Sequence, residues 1–296
     1  MPHSQNTQKI KVAVSSLVRS QLELDADDYG LRGVGDLCNR ILEGYPEFPV
    51  HAEMKTEELF KTAPPIQFLL HRDNARFRNF ADAQPIRLAP LCRYYFEQYV
   101  NLPRCRRELF IKSAEVRALR EAMDSKASVT LSYRGEACRC SPCFIAFSRA
   151  QARAYAVVYE PGCSPEKMKS FRALRIAAIE AVAPGVQGSA FHLEEWKLSH
   201  QADLFREHFD PYLCYGEEVK VRLTPEGEHM LSRIVTNRPE LKEKQGNIHL
   251  FTCSELLARR YFGQFLDEAE ILEPAALRTW FRDKFAAARG RYEKGT

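Results

Sequence analysis

The chain has 296 residues, 45% of them hydrophobic and 28% charged, a composition that folds without help and has room for two or three small domains. No stretch approaches the ~20 apolar residues of a membrane span, and the polar opening "MPHSQNTQKI" lacks the apolar core of a signal peptide, so a cytoplasmic protein is expected. Net charge is only +4, but it is unevenly spread. Between Arg139 and Arg175, seven cations stand against Glu160 and Glu166. That window nets +5 and leaves −1 for the rest, the footprint of an anion-binding surface or, more blandly, of a solvated basic face.

In chain order, "KIKVAVSS" alternates Ile10, Val12 and Val14 with Lys9, Lys11 and Ala13, a short strand with one apolar and one basic face. Ser15 and Ser16 then open a helix over "LVRSQLELDADDYG", and a turn at "GLRGVGD" leads to a second helix, "LCNRILEGY". Strand, helix, turn and helix follow in ribbon-helix-helix order. The strand has no nearby partner, and two short helices bury little apolar surface, so the unit is expected to form an intertwined homodimer. A winged-helix fragment or the edge strand of a larger domain fits the same residues. In that dimer Lys9 and Lys11 would face a DNA groove.

Pro46 and Pro49 close this module, and residues 46–114 read as a helical connector through "KTEELFKTAPPIQFLL", "PLCRYYFEQYV" and "RCRRELFIK". Its cations and its aromatics Phe77, Phe80, Tyr94, Tyr95 and Phe96 suit either a stacking path for nucleic acid or a core.

The helix "AEVRALREAMDSK" precedes four runs, "SVTLSYRG", "RCSPCFIAFS", "RAYAVVYEP" and "KSFRALRIAAIEAV", which fit a small, bent antiparallel barrel of the SH3 or Sm kind over residues 115–184. In the last run Arg172 and Arg175 cannot share one face of a regular strand unless it ends or bulges between them. They either converge on an anion or pair with Glu180 or another carboxylate as a brace. After a linker over residues 185–216, "VKVRLTPEGEHMLSRIV", "IHLFT", "SELLARRYFGQFL", "EAEILEP" and the final helix alternate strand and helix over residues 217–296. Thr224 before Pro225, Ser254 and Pro274 mark the helix starts. The fold class expected is multidomain α+β.

Nine cysteines, with no secretory signal, argue for free thiols. "CRCSPC" contains the pair Cys140 and Cys143, with Cys163 or His192 as conceivable further ligands, but a structural zinc site needs a second pair at similar spacing. His192, His200 and His208 lie near Asp203 and Asp210 without ligand spacing. No phosphate-binding glycine loop and no G-x-S-x-G or H-E-x-x-H appears, so neither metal, cofactor nor catalysis is expected.

With these residues in view, the third module resembles a WYL domain. That family has a helix, a strand tyrosine, an Arg-x-x-Pro step, its naming Trp-Tyr-Leu run and a terminal F-R-x-x-R-I. Here Tyr133 stands in "LSYRG", Arg139 and Pro142 in "RCSP", and Tyr155 in "AYAVV", while Phe171, Arg172, Arg175 and Ile176 match the last motif. Ala154 and Ala156 replace the naming Trp and Leu. The fourth module is similar to the C-terminal extension that follows such domains, so the resemblance covers roughly residues 115–290. It implies a concave cationic patch for a nucleic-acid strand or nucleotide, formed here by Tyr133, Arg139, Arg153, Tyr155, Lys169, Arg172 and Arg175. The whole architecture most resembles the WYL accessory proteins of type VI-D CRISPR systems, which implies a homodimeric, non-enzymatic, single-stranded RNA-binding partner of an RNA-guided ribonuclease. A ligand-responsive, DNA-binding transcription regulator shares most of the same parts.

Overall fold

The computed structural model describes residues 9–48, 65–160, 170–185, 196–207 and 209–293, with side chains from residue 199 onward in the segment that opens at 196. Lys169, Cys163, His192, His208 and the run 49–64 lie outside them. The chain is mixed α+β, and its contacts divide it into two compact units, one of residues 1–142 and 174–190, the other of residues 143–173 and 191–296.

In the first unit, β1 (Lys9–Val12) leads to Ser15, whose Oγ accepts a hydrogen bond from the Val18 amide at 3.2 Å and caps α1 (Ser16–Asp28). Next come α2 (Val34–Glu43) and β2 (Ile66–Leu69). The run "PIQFLL", expected to be helical, is instead this strand. Its residues alternate, with Ile66 and Phe68 buried and Gln67 and Leu69 exposed, and it pairs antiparallel with β1 in the register Lys9 to Leu69 and Lys11 to Gln67. The N-terminal strand therefore finds its partner in its own chain. That removes the unpaired edge on which the intertwined ribbon-helix-helix dimer was expected, although the order of strand, helix and helix is as read.

Asn39 of α2 secures the far end of β2. Its Nδ2 donates to the carbonyl of Leu69 at 2.9 Å and its Oδ1 accepts from the amide of His71 at 2.8 Å. Helices α3 (Ala75–Asp82), α4 (Leu88–Asn101), α5 (Arg104–Ile111) and α6 (Ser113–Asp124) complete the helical part. Phe77, Tyr95, Phe96 and Tyr99 lie fully inside one core with Ile10, Val12, Leu22, Leu37 and Ile41. These connector aromatics are packing residues, each contributing on the order of 1.5–3 kcal/mol by burial. At Gly44 a Cβ would lie 2.3 Å from the Phe110 ring, so a larger residue there has to displace that ring.

The five-stranded sheet contains β3 (Val129–Tyr133), β4 (Glu136–Ser148), β5 (Arg153–Tyr159), β6 (Phe171–Arg175) and β7 (Ile179–Pro184), in the order β6-β5-β4-β3-β7. β3 and β4 form a hairpin closed at Tyr133 and Glu136, with Arg134 at φ 54° and Gly135 at φ 79°, a two-residue turn of the type I′ class. A 3-10 turn at Ile176–Ala178 joins β6 to β7. These two strands are the edges of the sheet, so the expected barrel is not closed. β4 runs through the division at Pro142 and Cys143, and β6 through that at Ala173 and Leu174.

In the second unit, α7 (Trp196–Glu207) brings Ala202 and Phe205 into a cluster with Phe144, Val157, Tyr159 and Phe171 from β4, β5 and β6. The C-terminal part has β8 (Glu218–Leu223), α8 (Pro225–Arg233), β9 (Glu240–Gln245), β10 (Ile248–Thr252), α9 (Glu255–Phe262), β11 (Ala269–Glu273) and α10 (Ala275–Glu293), with strand order β11-β8-β10-β9. Val219, Val221, Phe251, Tyr261, Phe262 and Phe265 form its core. Thr224 and Ser254 cap α8 and α9 through their side-chain oxygens, as their positions predict.

Candidate nucleic-acid interface

In the first unit, Lys9 and Lys11 lie on the exposed face of the β1–β2 ribbon, opposite Leu69 and Gln67, while Ile10 and Val12 turn into the core. Period-two alternation alone places them there. Tyr133 is half-buried at the hairpin turn, with the Arg134 guanidinium 5.5 Å from its ring centre. Glu180, one of the carboxylates expected to brace an arginine, accepts from Ser132 Oγ at 2.5 Å and from the Gly135 amide at 2.9 Å, and so fastens that turn to β7. Arg139 is exposed on β4, opposite Thr130.

Arg175 closes β6, and its Nη2 lies 2.5 Å from Oδ1 of Asp28, the last residue of α1. The other carboxylate oxygen of Asp28 lies 3.1 Å from Nη2 of Arg104. Two guanidinium groups thus share one carboxylate. Lys112 lies deeper, where its Nζ donates to the Ile179 carbonyl at 2.8 Å and burial holds its pKa below the ordinary lysine range.

In the second unit, Arg172 Nη1 lies 2.5 Å from Oε2 of Glu160. Glu160 follows β5, and its amide donates to the Ser170 carbonyl at 2.8 Å, which fixes the carboxylate beside the start of β6. Arg153 and Tyr155 are both buried, Tyr155 at 6% exposure. The Tyr155 ring packs 5.7 Å from that of Phe209 and its hydroxyl bonds Gln151, whose Nε2 donates to Oδ1 of Asn237 at 3.1 Å and to the Tyr212 hydroxyl at 3.4 Å. The ring offers no open face for a base here.

Along β6 the buried residues are Phe171 and Leu174, with Arg172, Ala173 and Arg175 half-buried. A spacing of three breaks the two-residue alternation, as the two arginines require. Each meets a carboxylate: Glu160 lies twelve residues before Arg172, Asp28 lies 147 residues before Arg175. Neither partner was legible, since acidic residues at such separations leave no spacing signal. Among the described residues, no group of three His, Cys, Asp or Glu is arranged to hold a metal ion, and no helix is long and apolar enough to cross a membrane.

Residues 215–289 match the WCX domain family. No curated protein sequence matches the chain. Among solved structures the chain is similar to one described as the crystal structure of a CRISPR Cas-related protein, with 14% identity and a TM-score of 0.71 over 99% of this chain and 96% of the other. At that identity the likeness establishes a common fold from end to end. A second similarity, to proteasome accessory factor B/C (PafBC) of Arthrobacter aurescens, has 12% identity over 98% of this chain and 51% of that one, and its TM-score of 0.29 carries no argument. The WCX match falls on the module assigned above to the C-terminal extension. Together with the shared fold it supports the recognition of a WYL-type chain carrying that extension.

Proposed function

We propose that this chain is a CRISPR-associated accessory protein that binds single-stranded RNA through the arginines of its WYL module and stimulates an RNA-guided ribonuclease, without catalysis of its own. The observation that carries the reading is the fold shared along 99% of the chain with a protein described as CRISPR Cas-related. The chemistry is compatible: Arg172 and Arg175 each hold an anionic oxygen at 2.5 Å, and a guanidinium fork that accepts a carboxylate also accepts a phosphate. Homodimerisation no longer draws support from the N-terminal strand. It draws some from Leu17 and Leu24, seven residues apart on α1 and 70% and 63% exposed.

A second reading, a DNA-binding regulator, is favoured by the β1–β2 ribbon, because a two-stranded ribbon fits the major groove and Lys9 and Lys11 lie on its exposed face. Affinities for single-stranded RNA and duplex DNA at matched salt separate the two, since salt alone moves such affinities by orders of magnitude. Preference for RNA, with faster target cleavage when the chain is added to the ribonuclease, supports the first. Preference for duplex DNA that is lost in Lys9→Ala with Lys11→Ala supports the second.

A further inference from the structure

The last helix carries a short internal repeat. Residues 282–285 read "RDKF" and residues 289–292 read "RGRY", so the order cation, any residue, cation, aromatic recurs after seven residues. α10 is helical through both copies. Seven residues advance a helix by nearly two full turns, about 10.5 Å, so equivalent side chains of the two copies share one face.

That face begins as core. Leu277 and Phe281 are buried with Val219, Tyr261 and Phe262. One turn further Phe285 is 37% exposed, its ring 5.8 Å from that of Phe281, and Tyr292 is 85% exposed. Every residue from Arg282 to Arg289 is exposed, as are Arg291, Tyr292 and Glu293. The apolar stripe of α10 therefore runs out of its domain uncovered. At about 100° per residue, Arg282 and Arg289 flank the two rings on one side, Lys284 and Arg291 on the other.

These four cations stand against Asp283 and Glu293, so an incoming phosphate meets net positive charge. Arg282 Nε donates to Asp283 Oδ1 at 3.0 Å and Arg289 Nε to Glu293 Oε1 at 2.6 Å, and Lys284 Nζ lies 5.7 Å from the centre of the Trp280 ring. Both ion pairs lie in solvent, where such pairs hold little net energy and yield to a polyanion. Cations near the end of a helix also offset its dipole. That accounts for a charge at Arg291 but for neither exposed ring.

We propose that the outer half of α10 is a contact surface for single-stranded RNA, each copy of the repeat stacking one base on its ring and holding adjoining phosphates with its two cations. The kind of strand rests on the functional reading above, and the proposal adds to it a second binding element, on a helix of the second unit. A strand presents anions and flat rings in one ligand, whereas the same stripe on a second copy would set four cations against four. The two rings stand about 10.5 Å apart along the helix, the rise of about three stacked nucleotides at roughly 3.4 Å each.

The test uses the full chain, a labelled single-stranded RNA of mixed sequence and a salt series. Tyr292→Ala is expected to weaken binding roughly tenfold with little change in salt slope, as for one stacked base. Arg289→Ala with Arg291→Ala is expected to lower the slope by ~1.4, two phosphate contacts at about 0.7 each. Alanine is the best helix former and these positions are exposed, so both variants should fold and sediment as the parent does. On the unmodified chain, ultraviolet crosslinks from a thiouridine-labelled strand are expected on the peptide that carries Phe285 or Tyr292. Unchanged affinity and slope in both variants, with crosslinks elsewhere, overturn the proposal, while RNA binding by the parent leaves the functional reading standing. Failure of the parent to bind RNA at any salt overturns both. Variants that keep their affinity but sediment as a lighter species than the parent assign the stripe to a contact between copies and overturn the strand.

Discussion

Oδ2 of Asp25 on α1 lies 2.7 Å from Nε of Arg107 on α5, with the two side chains 2% and 9% exposed. The same oxygen accepts from the Tyr99 hydroxyl of α4 at 2.8 Å, and Oδ1 accepts from Gln21 Nε2 at 2.7 Å. One carboxylate therefore ties three helices together inside the first unit.

Breaking such a pair from one side leaves an uncompensated charge out of water. Arg107→Ala is expected to destabilise the first unit by about 3–5 kcal/mol, whereas Arg120→Ala on the exposed face of α6 stays within about 0.5 kcal/mol. Denaturant midpoints of the two variants check this. Equal midpoints would mean that the cluster contributes nothing to the fold.

The helix starts of the C-terminal part give an independent pair of substitutions. Thr224 Oγ1 accepts from the Gly227 amide at 3.1 Å and Ser254 Oγ from the Leu257 amide at 3.3 Å. Thr224→Ala and Ser254→Ala should each cost roughly 0.5–2 kcal/mol, read as a fall in thermal midpoint, while glycine at either site should cost only a few tenths. A larger loss with glycine than with alanine would count against capping as the cause.

Both caps were legible because a cap needs one side chain and the three residues after it. The same locality explains what else could be read: the strand tyrosine Tyr133, the arginine before Pro142 and the terminal "FRALRI" fall on β3, β4 and β6. Two features escaped. β9, "ELKEKQ", is exposed at every position, so it has no apolar alternation to announce it. β2 hides behind two prolines, and its meaning depends on β1, 58 residues earlier by the register of Ile10 with Phe68. The ion pairs of Arg172 and Arg175 escaped for a similar reason, since charge pairing across a fold has no period. Tyr155 carries the family's tyrosine position, but only the packing of Phe209 and Gln151 against it shows that the ring is interior.

His249 of β10 gives the second unit a pH dependence. Its ring is 1% exposed, with Nδ1 3.3 Å from the Asn247 carbonyl and Nε2 3.7 Å from Glu228, and burial, reinforced by Lys244, holds its pKa below the ordinary histidine value despite the pull of Asn247 and Glu228. The unfolded chain therefore binds the proton more readily. The stability due to neutral His249 is present above about pH 6.5 and is lost as pH falls from there toward the folded value. The C-terminal transition should melt lower at about pH 5 than at about pH 7.5, and His249→Gln should narrow the gap. An unchanged gap in that variant would assign the effect to other groups.

The double substitution Arg172→Ala with Arg175→Ala separates anion binding from bracing. If both arginines exchange their carboxylates for strand phosphates, affinity for single-stranded RNA falls and the salt slope drops by ~1.4, two contacts at about 0.7 each. Tyr133→Ala, at the half-buried hairpin turn, should cost about 1–3 kcal/mol of binding with little change in slope if the ring stacks on a base. Tyr155→Ala should behave otherwise, because its ring is interior: roughly 3–5 kcal/mol of stability is expected to go. A double arginine variant that keeps its affinity and slope yet melts well below the parent would make Glu160 and Asp28 the arginines' permanent partners. The cation-rich strand would then hold the sheet to its neighbours and would not hold a ligand.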